Sequence, residues 1–496
     1  MSAPGSTGRG DTPPPAPAER LSAFDRPGHL RAPMAAIPEP CDESAVSLAA
    51  KIRTGALSAT ECVSGFLSHI EAVNPVHNAI VSLRPREEIL ADAARADAAR
   101  AKGEALGPLH GLPIAIKDLS PTAGLTTTFG SPIYCGFVPD EDGLATARVR
   151  AAGAIVIGKT NTPEFGLGSH TFNEVFGATG NAFDPARSAG GSSGGAAVAL
   201  ATRMLPIADG SDMGGSLRNP AAFNNVFGLR PSFGRVPAHP SGNVFEASLA
   251  TDGPMARSAE DLALLLGIQA GADPRQPLSF GLPSLGQTRI IEGTGIRIGW
   301  LADLGGHLPF EAGILESVET ALDAIPGARI EPVSIGLDPE RIWQAFSVLR
   351  QIEIAGRYGA LLGDPRTRDL LKPEFVWEIE GGRRRTGLDG FLARQTRAEL
   401  HIEMAALFER FDMVSLPAAQ VFPFPVGWRW PRSVAGREMD SYHRWMECVA
   451  LGTLSGCPVL AAPAGFRGGL ACGFQLIAPH GREADLLAVA RRMERG

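Results

Sequence analysis

Gly190-Gly191-Ser192-Ser193-Gly194-Gly195 is followed, 24 residues after Ser192, by Ser216 within Gly210-Ser211-Asp212-Met213-Gly214-Gly215-Ser216-Leu217-Arg218. Glycine lets a backbone lie close to a substrate, so chemistry is to be sought in these two stretches. Around them stand short apolar runs bounded by Gly or Pro: Leu112–Ile116, Ala154–Ile157, Leu205–Ala208 and Val226–Leu229. Each reads as a buried strand. Helical segments, Leu144–Ala152 and Gly195–Thr202, lie between them. Strand–helix alternation predicts an α/β fold: a single large domain whose central, twisted β-sheet, largely parallel or mixed, is covered by helices on both faces.

Farther out the same texture continues. Ser258-Ala259-Glu260-Asp261 caps an apolar helix, and Ile296–Leu301 and Ile330–Val333 read as strands. Met413–Leu416, Val459–Ala462 and Phe474–Ile477 are strand runs, and Ala484–Met493 closes the chain as a helix. Upstream, Ser44 to Gly103 has a helical pattern, with Ser58 and Glu61 spaced as a capping box. Residues 1–40 are rich in Pro, Gly and Ala and are expected to form a flexible tail. The folded unit is then 41–496, with a core over 107–335 and 407–496 and a helical, Arg-rich insertion at about 339–406.

Composition narrows the function classes. Hydrophobic residues make up 44% of the chain, enough for a large core, while the net charge of -7 gives no reason to expect nucleic acid as a partner. No apolar run approaches the ~18–20 residues of a membrane span, and no apolar stretch follows a basic start, so a cytoplasmic, membrane-free protein is expected. The six cysteines are scattered without ligand spacing, so neither a metal nor a cofactor is expected.

Three motifs compete. Gly153-Ala154-Ile155-Val156-Ile157-Gly158-Lys159-Thr160 spells the phosphate-loop pattern. Its four intervening residues are themselves a strand, which is the wrong context for a phosphate cradle. Gly191-Ser192-Ser193-Gly194-Gly195 contains the G-x-S-x-G of a nucleophile elbow centred on Ser193. That arrangement needs a downstream histidine, and His401, His443 and His480 lack a persuasive loop context. The third pattern adds a lysine: Gly111-Leu112-Pro113-Ile114-Ala115-Ile116-Lys117-Asp118 ends an apolar strand on Lys117. Burial there would lower the lysine pKa toward neutrality, and two serines with such a lysine form a proton relay without histidine.

In order and spacing these blocks resemble the amidase-signature family. The likeness runs on through Asn219-Pro220-Ala221-Ala222-Phe223, Gly228-Leu229-Arg230-Pro231 and Gly253-Pro254-Met255-Ala256-Arg257-Ser258, and resumes at Gly456-Cys457-Pro458 to Pro463-Ala464-Gly465. It is weakest between roughly 285 and 405. The resemblance implies the amidase-signature fold over 41–496 and a Ser-Ser-Lys triad. Ser216 would be the nucleophile that forms an acyl-enzyme, Lys117 the base, and Ser192 the bridging hydroxyl on a cis peptide. Backbone N–H groups of Met213, Gly214, Gly215 and Ser216 would form the oxyanion hole. Asp212, Arg218, Gly191 and Ser193 would support the site structurally. Ser193 and Ser211 are expected to bond loop backbone, and Lys159 to lie on the surface.

The resemblance leaves the substrate open. The aromatic collection Trp343, Phe346, Trp377, Phe391, Phe422, Phe424, Trp428, Trp430, Tyr442 and Trp445 reads as core or as pocket lining, and its concentration, with the loop Thr126–Phe137 and Thr171-Phe172-Asn173, leans toward a roomy apolar pocket. The expected substrate is a small hydrophobic aryl or alkyl amide, an anilide or a carbamate, acted on by a monomer or homodimer. One alternative is a glutamine-hydrolysing component of an amidotransferase. Glutamine-using relatives carry an acid about ten residues before the Gly of the Gly-x-Pro block; Met446 holds that place, with Glu447 beside it. A non-catalytic binding scaffold is the remaining class.

Overall fold

The strand Ala208–Asp212 lies at one edge of an eight-stranded sheet and runs straight into the turn that carries Ser216. The computed structural model describes residues 37–238, 243–246, 249–279, 281–290 and 295–495. From the opposite edge, the sheet is ordered Ala328–Pro332, Ile296–Trp300, Met413–Pro417, Leu470–Ile477, Val459–Arg467, Phe227–Arg230, Thr251–Ala256 and Ala208–Asp212. The first three strands are parallel and the remaining pairings antiparallel, so of the largely parallel and mixed sheets that strand–helix alternation allows, the sheet is mixed.

A smaller, three-stranded sheet sets Ile155–Thr160 between Ile80–Val81 and Pro113–Lys117. All five residues of Pro113–Lys117 are buried. That strand is tied to the large sheet where the Lys117 N–H donates to Asp209 Oδ1 at 2.9 Å. The helix Gly194–Ala201, buried along its whole length, packs on both sheets. Its small residues permit this closeness: a Cβ on Gly195 would strike the backbone of Asn161 and Ala79.

Most elements lie within a few residues of their expected positions. The capping box of Ser58 and Glu61 forms at the head of Ala59–His77, and Ser58 Oγ accepts from the Glu61 N–H at 3.0 Å. Ile155–Thr160 is a strand, so the phosphate-loop spelling has no loop to match it. The largest difference is at Leu205–Ala208. There the strand begins where the apolar run ends, and consists of Ala208-Asp209-Gly210-Ser211-Asp212. Burial of this polar strand is sustained by hydrogen bonds to its two aspartates, so an apolar pattern is not required.

The segment after 338 is helical: Pro339–Gly363, Pro365–Arg368, Pro373–Arg384 and Gly387–Arg410. Among the described residues, no helix is long and apolar enough to cross a membrane. The expected tail, 1–40, falls outside the described residues apart from 37–40.

Candidate active site

Lys117, the last residue of its strand, is fully buried. Its Nζ lies 2.7 Å from Ser192 Oγ, 2.8 Å from Ser193 Oγ and 3.0 Å from Ser211 Oγ. Three hydroxyls therefore converge on one amine. Burial lowers the Lys117 pKa to about 7, outweighing the attraction of Asp209, Asp252 and Asp212. A neutral amine offers one lone pair, so one of the three hydroxyls can donate to it.

This arrangement differs from the sequence reading at two serines. The motifs alone put Ser193 and Ser211 on loop backbone. The Ser193 hydroxyl does contact backbone, at Ser211 O, but also reaches the amine, and the Ser211 hydroxyl meets the amine alone among the described residues. The signal lies in the motif itself, since Ser193 follows Ser192 directly and Ser211 precedes Asp212 on the strand alongside Lys117. Among the described residues no histidine joins the set: His401 and His480 bond the carbonyls of Ser455 and Phe233, and His443 bonds Ser441 Oγ.

The Gly191–Ser192 peptide is cis. Its loop is held to the turn of Ser216 by the Ser193 N–H, which donates to Ser216 O at 3.2 Å. Ser192 and Ser216 line the same cavity, of about 390 Å³. No hydrogen bond joins their hydroxyls among the described residues, so of the two links of the expected relay the structure shows Ser192–Lys117 and not Ser216–Ser192.

Asp212 and Arg218 are both fully buried and form a two-point ion pair, Nη2–Oδ1 at 2.9 Å and Nε–Oδ2 at 3.0 Å. Burial alone would raise the Asp212 pKa. The Arg218 and Arg230 guanidiniums override it and hold the carboxylate well below its usual range. Arg218 also donates to Val449 O, Gln475 Oε1 and Thr453 Oγ1 at 2.8, 2.9 and 2.7 Å. Asp212 in turn accepts from the N–H groups of Gly215 and Leu217 at 2.9 and 3.0 Å. The expected oxyanion set needs a correction here. The Gly215 N–H is already bound to Asp212, which leaves the N–H groups of Met213, Gly214 and Ser216. Gly215 itself takes φ +89°, a left-handed conformation that favours glycine.

The cavity wall is mostly apolar, with Leu119, Phe129, Leu144, Phe165, Ile354 and Tyr358 among its residues. Phe129 comes from the expected loop and Tyr358 from the helix Pro339–Gly363. None of the ten aromatics expected to build the pocket lines it. Trp445, for example, packs into a core with Phe223 and Phe424. Thr171 does not line it either; its Oγ1 donates to Gly190 O and accepts from the Gly194 N–H. Lys159 is buried, not exposed, because its strand is covered on both faces. It donates to Ser120 O and Thr122 Oγ1 at 2.6 and 2.8 Å.

Met446 is buried near the nucleophile turn: a Cβ built on Gly214 would lie 3.7 Å from its Cε and 2.9 Å from Phe346 Cζ. Glu447 is engaged elsewhere, its carboxylate 2.8 Å from both His307 Nε2 and Arg444 Nε. With Glu340 these residues form a cluster of metal-ligand type, but the Arg444 guanidinium occupies it as the cation, 2.5 Å from Glu340.

Comparison with known proteins agrees with this architecture. The model of the family described as Amidase matches residues 61–487. A glutamyl-tRNA(Gln) amidotransferase subunit of Thermus thermophilus is 36% identical over 471 residues, covering 90% of this chain and 95% of that protein. Its counterpart in Chloroflexus aurantiacus is 33% identical over 472 residues, again with 90% and 95% covered. A bacterial aryl acylamidase of the amidase-signature enzymes superposes with a TM-score of 0.84 at 27% identity, covering 91% of this chain and 96% of its own. The motif blocks, the mixed sheet and these matches along nearly the whole described chain place the protein in the amidase-signature family.

Proposed function

We propose that the chain hydrolyses the carbon–nitrogen bond of an amide through an acyl-enzyme on Ser216. The observation that carries this reading is the buried Lys117 amine, 2.7 Å from Ser192 Oγ in a cavity that Ser216 shares. As Ser216 Oγ bonds to the carbonyl carbon, its proton passes to Ser192 while the Ser192 proton moves to neutral Lys117. The negative oxygen is received by the N–H groups of Met213, Gly214 and Ser216. Lys117 then returns a proton through Ser192 to the nitrogen, which leaves as a neutral amine as the C–N bond breaks. Water attacks the acyl group by the same relay and restores Ser216.

The base must be neutral to act. Activity is therefore expected to fall as pH drops through about 7, the Lys117 pKa, and to hold above it. A pH profile of kcat/KM flat down to pH ~5 would remove Lys117 from the role of base.

Two substrate readings have specific support. The amidotransferase relatives, at up to 36% identity along nearly the whole chain, favour glutamine hydrolysis within a larger assembly over a free amidase. The apolar cavity wall and the buried Met446 favour a hydrophobic aryl or alkyl amide, anilide or carbamate. Turnover of an anilide, an aryl carbamate and glutamine, with Ser216→Ala as the blank, separates them. Glutamine hydrolysis faster than either apolar substrate selects the amidotransferase role. The reverse selects the free amidase, and activity retained in Ser216→Ala rejects the acyl-enzyme on Ser216.

A further inference from the structure

Among the described residues, four charged side chains line the catalytic cavity: Asp252, Arg350, Glu353 and Arg357. Three of them have counterions. Arg350 Nε lies 2.6 Å from Glu378 Oε1, and Arg357 Nη2 lies 3.8 Å from Glu353 Oε1. The Asp252 carboxylate is engaged in no hydrogen bond or ion pair among the described residues.

Its position is set by the sheet. Asp252 is registered opposite Ser211 on the adjacent antiparallel strand, so their Cβ atoms are about 4.5–5.5 Å apart. Ser211 Oγ is in turn 3.0 Å from Lys117 Nζ. Asp209, two residues before Ser211, shares its strand face and accepts from the Lys117 N–H. Asp252 on the cavity wall and Asp209, which does not line it, thus place two carboxylates near one amine.

Burial, and then Asp209, raises the Asp252 pKa to about 7. With two carboxylates near one amine, this region is net negative once both carboxylates are ionised. Lys159, the other buried lysine of the small sheet, is committed to Ser120 O and Thr122 Oγ1, and its amine lies near Asp118. On the facing wall Arg350 and Arg357 are offset by Glu378 and Glu353.

A bound substrate displaces the water that solvates Asp252, and an ionised carboxylate without a new donor would strongly disfavour that step. We infer that Asp252 is a specificity-determining residue: it receives a protonated amine of the substrate, so that amides bearing a basic nitrogen beside an apolar body are preferred to neutral ones of equal size. The inference rests on the amide-hydrolase reading of this cavity, but its test does not require turnover.

The test is calorimetric titration of 3-phenylpropan-1-amine and 3-phenylpropan-1-ol into the wild type, Asp252→Asn and Glu353→Gln at about pH 8. In the wild type the amine is expected to bind about tenfold or more tighter than the alcohol, a comparison that needs no variant. In Asp252→Asn the amine is expected to weaken by roughly tenfold to hundredfold, with the alcohol unchanged within about twofold. Equal binding of amine and alcohol by the wild type overturns the inference. So does an equal loss for both probes in Asp252→Asn, or an amine preference that survives there and disappears in Glu353→Gln. Turnover unaffected by Ser216→Ala would defeat the acyl-enzyme reading and leave these binding results standing.

Discussion

Lys117→Ala is expected to lower kcat by roughly 10²- to 10⁴-fold at about pH 8, the range that a positioned general base supplies. The amine lies within 3.0 Å of three serine hydroxyls, and among the described residues no histidine is bonded to any of them to take its place. The substitution also leaves Asp209 and Asp252 without the nearby amine. Steady-state kinetics should be paired with a melting curve, so that a lost proton acceptor is told apart from a lost fold. A Lys117→Ala enzyme that is folded and keeps near-full activity would refute the relay. A small residual rate is compatible with it, because oxyanion donors and substrate positioning act independently of the base.

Arg218→Ala should act on stability first. It removes the guanidinium that neutralises Asp212 in a fully buried place and leaves Val449 O, Gln475 Oε1 and Thr453 Oγ1 without a donor. Breaking such a pair from one side destabilises by about 3–5 kcal/mol. Arg230 moderates the loss, with Nη1 at 3.6 Å from Asp212 Oδ1. Arg218→Lys should rescue little, since one ammonium cannot reproduce a two-point contact together with three further bonds. Equilibrium urea unfolding measures the change, and a loss under about 1 kcal/mol would show that the pair is not structurally important.

Much of this molecule is legible in its sequence. The apolar strands are short, bounded by Gly or Pro and separated by helical spacing, so the sheet follows from pattern. Lys117, Ser192 and Ser216 can be picked out because each sits in a block whose glycines have no other evident use. Two kinds of feature escape such reading. A strand such as Ala208–Asp212 has no hydrophobic period, because its burial depends on partners distant in sequence: Asp209 on Lys117 and Asp212 on Arg218. The roles of Asp252 and Ser211 depend on strand register, which becomes visible only when the antiparallel pairing is known. Whether the aromatic collection is core or pocket lining stayed open in the sequence for a related reason. Composition counts rings, whereas the fold decides which of them face a cavity, and here Phe129, Phe165 and Tyr358 do so while Trp445 does not.

The helix Pro339–Gly363 supplies Arg350, Glu353, Ile354, Arg357 and Tyr358 to the cavity wall, while Lys117 and the serines around it come from residues 117–216. One part of the cavity wall is thus written in a stretch of the gene separate from Lys117 and its serines, although Phe129 and Phe165 are not. A lineage can rewrite one helix and acquire a new diet while inheriting its chemistry intact, and a library confined to that helix would follow the same route in the laboratory.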